Sequence, residues 1–190
     1  AGDWEITVAW AGNTNYSAVT QTHRISVSNE LGKMILVLGG SYQANDPDWQ
    51  TSSKMMDYVH NILVKQRGFD EDDIYFLSPD PKTLGVDRDT TLDNLEFAIT
   101  QWASKLVNPK VPLYVYMLSH NVEDQFLLER RGEQDTYLTP ALLDSWLDKL
   151  PEGTQVTIII EACHSGNFIR VNSQPTALAG VNRTVIASAR

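Results

Sequence analysis

The sequence predicts an α/β domain in which helices cover both faces of a mostly parallel β-sheet. One observation is a continuous apolar run, Met34–Leu38, which is typical of a strand buried on both faces of a parallel sheet. A second is the stripe from Leu92 to Leu106, where apolar residues recur at intervals of three and four. The third is that strand-like and helix-like segments alternate along the chain, as they do in repeated βα units.

The other elements of this domain follow from the same patterns. A first helix is expected over Ser52–Gln66, because apolar residues mark one face and Gly68 provides a stop signal. Thr139 and Pro140 predict the start of a third helix, since Thr is a good cap and Pro suits the first helical position. Further strands are expected at Asp73–Leu77, Pro112–Leu118, Gln155–Ile160 and Thr184–Ala187, with a short hairpin arm at Gln125–Leu128.

The first 31 residues follow a different pattern from the rest of the chain. Trp4–Trp10 and Thr22–Ser28 each alternate with period two around the turn-rich segment Gly12–Ser17, which predicts a β-hairpin. Two strands alone are marginally stable. We therefore expect residues 1–31 to be the end of an upstream β-domain or an N-terminal extension. Residues 32–190 are expected to form the main domain, truncated at its C-terminus.

The composition excludes several classes of protein. The chain has 190 residues, 42% of them hydrophobic, so it can bury a core and is not intrinsically disordered. Its formal net charge of −9 argues against binding nucleic acid, and its apolar runs are too short for membrane insertion. Cys163 is the single cysteine, which excludes a disulfide within the chain. We expect a secreted, periplasmic or cell-surface location.

Three predicted strand ends carry small and polar residues, and ligands of open α/β sheets bind beyond the carboxyl ends of the strands. The first strand ends at Gly39–Ser41, the third at Ser119–Asn121 and the fourth at Glu161–Gly166. If the last two strands are neighbours, His120 and Cys163 lie side by side. Such a pair suits nucleophilic catalysis, because an imidazole can take the proton of the thiol and later protonate a leaving amine.

The same residues admit other interpretations. A lone cysteine after an apolar strand is often a small core residue, and a histidine there is often a plain loop residue. A zinc site formed by His120, Glu161, Cys163 and His164 would lack a recognisable ligand spacing, so we expect no metal. The glycines after the first strand do not form a phosphate-binding motif, so we expect no nucleotide and no other cofactor.

Two motifs make the chain resemble a known family. The segment Ile160–Gly166 is similar to the Glu/Asp-Ala-Cys-x-Ser-Gly motif that follows a hydrophobic strand in legumain-type cysteine peptidases. Tyr114–His120 is similar to the hydrophobic strand that ends in their catalytic histidine. From Lys33 to Arg190 the chain resembles a bacterial-type member of this family, within the caspase-like clan. The resemblance implies a caspase-like three-layer αβα sandwich.

The resemblance also implies a cysteine endopeptidase that acts on a peptide or protein substrate. By it, Cys163 is the nucleophile and His120 the general acid/base of a dyad, and the backbone N–H groups of Cys163 and Asn121 form the oxyanion hole. Asn121 stands where the family has glycine. Two functions therefore stay open: an active endopeptidase, and a catalytically weakened or inactive domain that binds peptides or proteins. An adhesin-like or sensor module attached to a β-domain is a third.

In the family, the substrate pocket draws on the loop after the first strand and on the turn after the cysteine. Asp46 and Asp48 in that loop suit a basic side chain before the scissile bond, unless they form only a solvated turn. Arg170 in the turn would instead favour Asp or Asn. The residues expected to bind substrate are Ser41, Asp46, Asp48, Glu161, Ser165 and Gly166.

Overall fold

The computed structural model describes most of the chain, and its contacts divide the chain into two compact units, residues 1–31 and residues 32–190. Each unit is considered by itself. The described residues are 2–12, 14, 18–27, 31–42, 45–171, 174–175, 178 and 180–189.

The first unit is an antiparallel hairpin. Strand β1 (Gly2–Trp10) pairs with β2 (Val19–Val27) along its whole length. The hydroxyl groups of Thr7 and Thr22 lie 3.0 Å apart across the two strands, which is a cross-strand hydrogen bond between residues in direct register. The hairpin predicted from the period-two alternation is thus confirmed. Its origin as the end of a larger β-domain stays a prediction.

The second unit is built on a five-stranded sheet in the order β12-β9-β5-β3-β4. Every neighbouring pair in this sheet is parallel, so the sheet is more regular than the mostly parallel one that was predicted. Its central strands are almost fully buried because they carry apolar side chains on both faces. The five strands are β3 (Lys33–Leu38), β4 (Ile74–Leu77), β5 (Leu113–Leu118), β9 (Val156–Glu161) and β12 (Arg183–Ala187).

Helices cover the two faces of this sheet, so the unit has three layers. Helix α1 (Pro47–Arg67) packs on one face, through an apolar cluster that includes Trp49, Met56 and Leu63. Helices α2 (Leu92–Phe97) and α3 (Pro140–Leu147) pack on the other face, in a second cluster. The predicted α/β class is confirmed, and the arrangement is consistent with a caspase-like sandwich.

The second helix departs from its prediction. The amphipathic stripe predicts a single helix from about Thr91 to Leu106, whereas the α-helix ends at Phe97 and continues as a π-helical turn and then a 3-10 turn. Two hydroxyl groups bond to carbonyl oxygens four residues back in this stretch: Thr100 to Glu96 at 2.8 Å and Ser104 to Thr100 at 2.6 Å. Such bonds compete with the regular helical pattern and bend helices.

A small antiparallel sheet lies beside the ends of β3 and β5 of the central sheet. It is formed by β6 (Asn121–Val122), β7 (Gln125–Arg131) and β8 (Gln134–Leu138). The hairpin is longer than the predicted arm, because β7 gains partners outside the hairpin. The N–H of Gly40 donates to the carbonyl oxygen of Leu128, and the N–H of Arg130 donates to that of Gly40, each at 3.1 Å.

The remaining elements are short. Residues Arg170–Val171 (β10) and Gln174–Pro175 (β11) form a two-residue antiparallel pair after the cysteine turn. Across the residues that the structure describes, no helix combines the length and the apolar character that crossing a bilayer requires.

Candidate active site

The two proposed catalytic residues follow neighbouring strands at matching positions. Leu118, the last residue of β5, is in register with Glu161, the last residue of β9. The N–H of Ser119 donates to the carbonyl oxygen of Glu161 at 3.2 Å, so the pairing extends one residue beyond β5. His120 and Cys163 each lie two residues beyond the paired positions, and both are exposed. His120 and Cys163 are therefore at the same edge of the sheet, and both residues are accessible to solvent.

The turn that carries Cys163 is tightly held. The N–H of Ser165 donates to the carbonyl oxygen of Ala162 at 3.3 Å, and a 3-10 helix follows over Ser165–Phe168. Ser165 is fully buried, and its hydroxyl group exchanges hydrogen bonds of 3.1 Å with the N–H and the carbonyl oxygen of Ala189. The N–H of Gly166 donates to the same carbonyl oxygen at 2.6 Å. Ser165 and Gly166 thus fasten the cysteine turn to the chain beyond β12.

The histidine segment is fastened from the opposite side. The N–H of Leu127 donates to the carbonyl oxygen of His120 at 2.8 Å, and the hydroxyl group of Ser119 donates to the carbonyl oxygen of Leu127 at 2.7 Å. Gly39 packs against both partners: a Cβ atom built on it would lie 2.3 Å from the Leu127 oxygen and 2.8 Å from the Ser119 Cβ. A glycine is required at this contact because any side chain would collide with the backbone.

A pocket of 180 Å³ opens beside the imidazole. It brings His120 together with three residues that the sequence assigned to substrate binding, namely Ser41, Asp46 and Asp48. Asp46 also caps α1, since its Oδ1 accepts the N–H of Asp48 at 2.9 Å. The cap explains why these two residues adopt a fixed turn, and it leaves the second carboxylate oxygen of Asp46 outside this bond. The other lining residues are Gly39, Gly40, Trp49, Ser52, Ser119, Leu127 and Arg130.

Arg130 is a charged lining residue that the sequence did not predict. Its guanidinium group makes two hydrogen bonds of 2.7 Å to Asp135, and the hydroxyl group of Tyr137 donates to the same carboxylate at 3.0 Å. The bond from Arg130 lowers the pKa of Asp135 to about 2. Arg130 and Asp135 therefore form an ion pair without net charge, and Arg130 is not a free cation in the pocket. The signal in the sequence was weak: an Arg and an Asp five residues apart on the two sides of a hairpin turn.

Two other cavities lie near the site. One, of 330 Å³, shares Gly40, Ser41 and Arg130 with the pocket beside the imidazole, so the two form a continuous groove. The other, of 590 Å³, is lined by Arg170 and Gly166 together with the end of β12. Arg170 and the two aspartates thus belong to different cavities. This separation favours an acidic pocket beside His120.

Glu161 and Asn121 lie within the edge of the sheet rather than in the open pocket. Glu161 is half-buried, and its carboxylate is hydrogen-bonded to the hydroxyl group of Tyr116; burial and this bond raise the pKa of Tyr116 well above its ordinary value. Asn121 is the first residue of β6, and its side chain is buried. The described residues contain no cluster of three or more His, Cys, Asp or Glu side chains that could hold a metal ion.

Comparison with known proteins adds a distant relative. The chain is 26% identical over 153 residues to metacaspase-7 of Arabidopsis thaliana, in an alignment that covers 73% of this chain. The chain spans 36% of the length of that protein. No family model matches the sequence. The similarity supports a relationship to the caspase-like cysteine peptidases, and it does not single out the legumain type within that clan.

Proposed function

We propose that this chain is a cysteine endopeptidase in which Cys163 and His120 act as a dyad. The observation that carries the proposal is the register of Leu118 with Glu161, since His120 and Cys163 each follow these paired residues by two positions. The exposure of both side chains and the similarity to a metacaspase support it. The legumain-like motif around Cys163 supports a legumain-type member of the clan.

The proposed reaction uses groups that already lie at this edge. His120 accepts the proton of the Cys163 thiol, and the thiolate sulfur forms a bond to the carbonyl carbon of the substrate. The carbonyl oxygen becomes an oxyanion, which the backbone N–H groups of Cys163 and Asn121 bind. His120 then gives its proton to the leaving amine as the C–N bond breaks. Water hydrolyses the thioester, with His120 again as the base, and the thiol is restored.

The substrate is a peptide or protein with a basic side chain before the scissile bond. Asp46 and Asp48 line the pocket beside His120, and the third charged group there, Arg130, is neutralised by Asp135. The pocket therefore has a net negative charge, which favours Lys or Arg over Asp or Glu. The adjoining cavity that shares Gly40 and Ser41 gives room for a further substrate residue.

A catalytically silent, peptide-binding domain is the second candidate. It is favoured by Asn121, which stands in place of the glycine of the legumain-type motif. Such a domain would use the same groove to hold a polypeptide without forming a bond to it. Binding alone needs the pocket, whereas catalysis needs a reactive thiol as well.

A peptide electrophile that ends in lysine separates the two candidates. Because Cys163 is the only cysteine, covalent labelling of the chain by such a thiol-directed probe reports on this site alone. We expect labelling of the wild type, its loss in Cys163→Ala, and hydrolysis of a matching lysyl peptide by the wild type only. Binding of the peptide without labelling or hydrolysis would favour the silent domain and contradict the endopeptidase.

A further inference from the structure

Asn121 has a feature that the proposed dyad does not explain. Its side chain is 7% exposed, and within the part of the chain that the structure describes neither its Nδ2 nor its Oδ1 has a hydrogen-bond partner. A carboxamide has two donor and two acceptor positions. Burying them without partners destabilises the folded state, and native proteins do so rarely. No hydrogen bond in the resting protein therefore explains why a polar side chain is buried at this position.

Asn121 lies on the same face of the small sheet as a buried phenylalanine. Asn121 pairs directly with Phe126 of β7, and paired residues of an antiparallel ladder share one face. Phe126 is fully buried in the apolar cluster that also holds Ala162 and Phe168. These two residues lie on either side of the turn that carries Cys163. The side chain of Asn121 thus lies on the face of β6 that this cluster covers.

The backbone on both sides of the site is strained. Glu123 has φ 54° and His164 has φ 55°, a left-handed conformation that residues other than glycine seldom adopt. The two strained turns are joined, because Nδ2 of Asn167 donates to the carbonyl oxygen of Glu123 at 3.1 Å. Strain of this kind is concentrated at functional sites, where it forms part of the mechanism. The bond from Asn167 links the turn after β6 to the 3-10 helix that follows the cysteine turn.

We propose that Asn121 is a positioning residue whose carboxamide bonds to the backbone of the cysteine turn, residues 162–165, when the oxyanion hole is occupied. The inference rests on the proposed peptidase function. An interaction that is absent in the resting enzyme and present in the transition state raises kcat and leaves KM little changed. The same amide then destabilises the free protein and assists the reaction. Removing the carboxamide should therefore lower kcat without lowering the melting temperature.

Two variants test this separation. Asn121→Leu keeps a branched side chain and removes the polar atoms, while Asn121→Gly removes the side chain and keeps the backbone N–H. With a lysyl peptide substrate, kcat should fall about 10- to 100-fold in both, the effect of losing one or two hydrogen bonds, with KM within about twofold. The melting temperature of Asn121→Leu should equal or exceed that of the wild type. As a control, Asn61→Leu removes a carboxamide of α1 whose Nδ2 bonds to the Asp57 carbonyl oxygen, and it should keep kcat.

A peptide aldehyde tests the oxyanion directly, because Cys163 adds to it to form a hemithioacetal whose oxygen occupies the oxyanion hole. Its affinity should fall in both Asn121 variants by a factor similar to the loss in kcat. The rate of alkylation of Cys163 by iodoacetamide should stay unchanged, since that reaction forms no oxyanion.

Three results would overturn the inference. If both Asn121 variants keep wild-type kcat, the amide has no part in the reaction. A second contrary result is a lower melting temperature and a lower kcat in Asn121→Leu, together with wild-type kcat in Asn121→Gly. Asn121 would then contribute only to packing. If the wild type neither hydrolyses the lysyl peptide nor reacts with a peptide electrophile at Cys163, the proposed function fails, and this inference fails with it.

Discussion

The carbonyl oxygen of Leu127 lies where a side chain on Gly39 would begin: an added Cβ atom would be 2.3 Å from it. This contact holds the β7 strand against the end of β3 and against the segment that carries His120. The hydroxyl group of Ser119 bonds to the same oxygen at 2.7 Å. The carbonyl oxygen of Leu127, in β7, thus contacts both the residue that follows β3 and the segment that carries His120. The shape of the pocket beside the imidazole depends on this close approach.

The substitution Gly39→Ala should therefore disturb both stability and activity. The new methyl group meets backbone rather than a movable side chain, so either β7 or the histidine segment must shift. We expect a loss of roughly 1–3 kcal/mol in the free energy of unfolding, the usual cost of overpacking, measured by urea denaturation. Hydrolysis of a lysyl peptide should fall as well, because the shift moves His120 relative to Cys163.

Gly153→Ala is the matched control, since a Cβ atom at that position would have a side chain, that of Pro109 at 3.1 Å, as its nearest neighbour rather than backbone. Gly153 precedes β9, at the opposite end of that strand from Cys163. Its φ of 81° makes alanine cost about 1 kcal/mol in backbone strain. We expect this variant to keep its activity. Equal activity in the Gly39 and Gly153 variants would show that the contact between Gly39 and Leu127 does not control the site.

Replacement of the imidazole gives a second prediction. In His120→Ala the proposed dyad lacks the group that takes the proton of Cys163 and protonates the leaving amine. The value of kcat/KM should fall by about 10²- to 10⁴-fold, the usual contribution of a general acid/base. Alkylation of Cys163 should slow as well, because no imidazole of the dyad takes the proton of the thiol as it attacks. Wild-type turnover by this variant, measured beside Cys163→Ala as the blank, would remove His120 from the mechanism.

The acidic pocket gives a third prediction, which a double variant tests without damage to α1. Asn caps helices about as well as Asp, so Asp46→Asn combined with Asp48→Asn removes two negative charges and keeps the cap. We expect kcat/KM for lysyl and arginyl peptides to fall roughly three- to tenfold, the effect of losing partly exposed ion pairs. The melting temperature should change little.

Asp93→Asn controls for the loss of negative charge in general. Asp93 lies in the first turn of α2, on the opposite face of the sheet from α1. This variant should cleave basic peptides at the wild-type rate. A preference of the wild type for peptides with Asp or Asn before the scissile bond would contradict the acidic pocket and favour the cavity lined by Arg170.

The sequence could predict the framework of the site because the framework depends on local patterns. Buried parallel strands are continuously apolar, so the sequence predicts where β5 and β9 end. His120 and Cys163 follow these ends, so their positions at the sheet edge are predicted as well. The pocket wall formed by Arg130 was not visible. It depends on the docking of β7 against Gly40, a contact between segments about 90 residues apart, and no local pattern encodes such a contact.

The same limit applies to the second helix and to Asn121. The spacing of apolar residues predicted the buried face of the helix, and hydroxyl bonds within it decided where the regular α-helix stops. The resemblance to the legumain-type family implies Asn121 as a backbone donor and says nothing of its side chain. Its burial follows from pairing with Phe126 in the two-residue strand β6, which is too short to show a period of its own.

The ion pair between Arg130 and Asp135 gives a fourth prediction, concerning pH. The pKa of Asp135 is lowered from 3.8 to about 2, first through its hydrogen bonds with Arg130. A folded-state pKa below the unfolded value stabilises the fold above about pH 4, and this contribution is lost as the pH falls towards 2. The pair therefore stays intact at neutral pH and keeps the guanidinium charge compensated in the pocket.

In Arg130→Gln, the midpoint of Asp135 in an NMR titration should rise towards 3.8. Lys149→Gln, which breaks an ion pair elsewhere on the surface, should leave this midpoint unchanged. A midpoint near 3.8 in the wild type would show that the pair does not form in solution, and Arg130 would then act as a free cation that weakens binding of basic substrates.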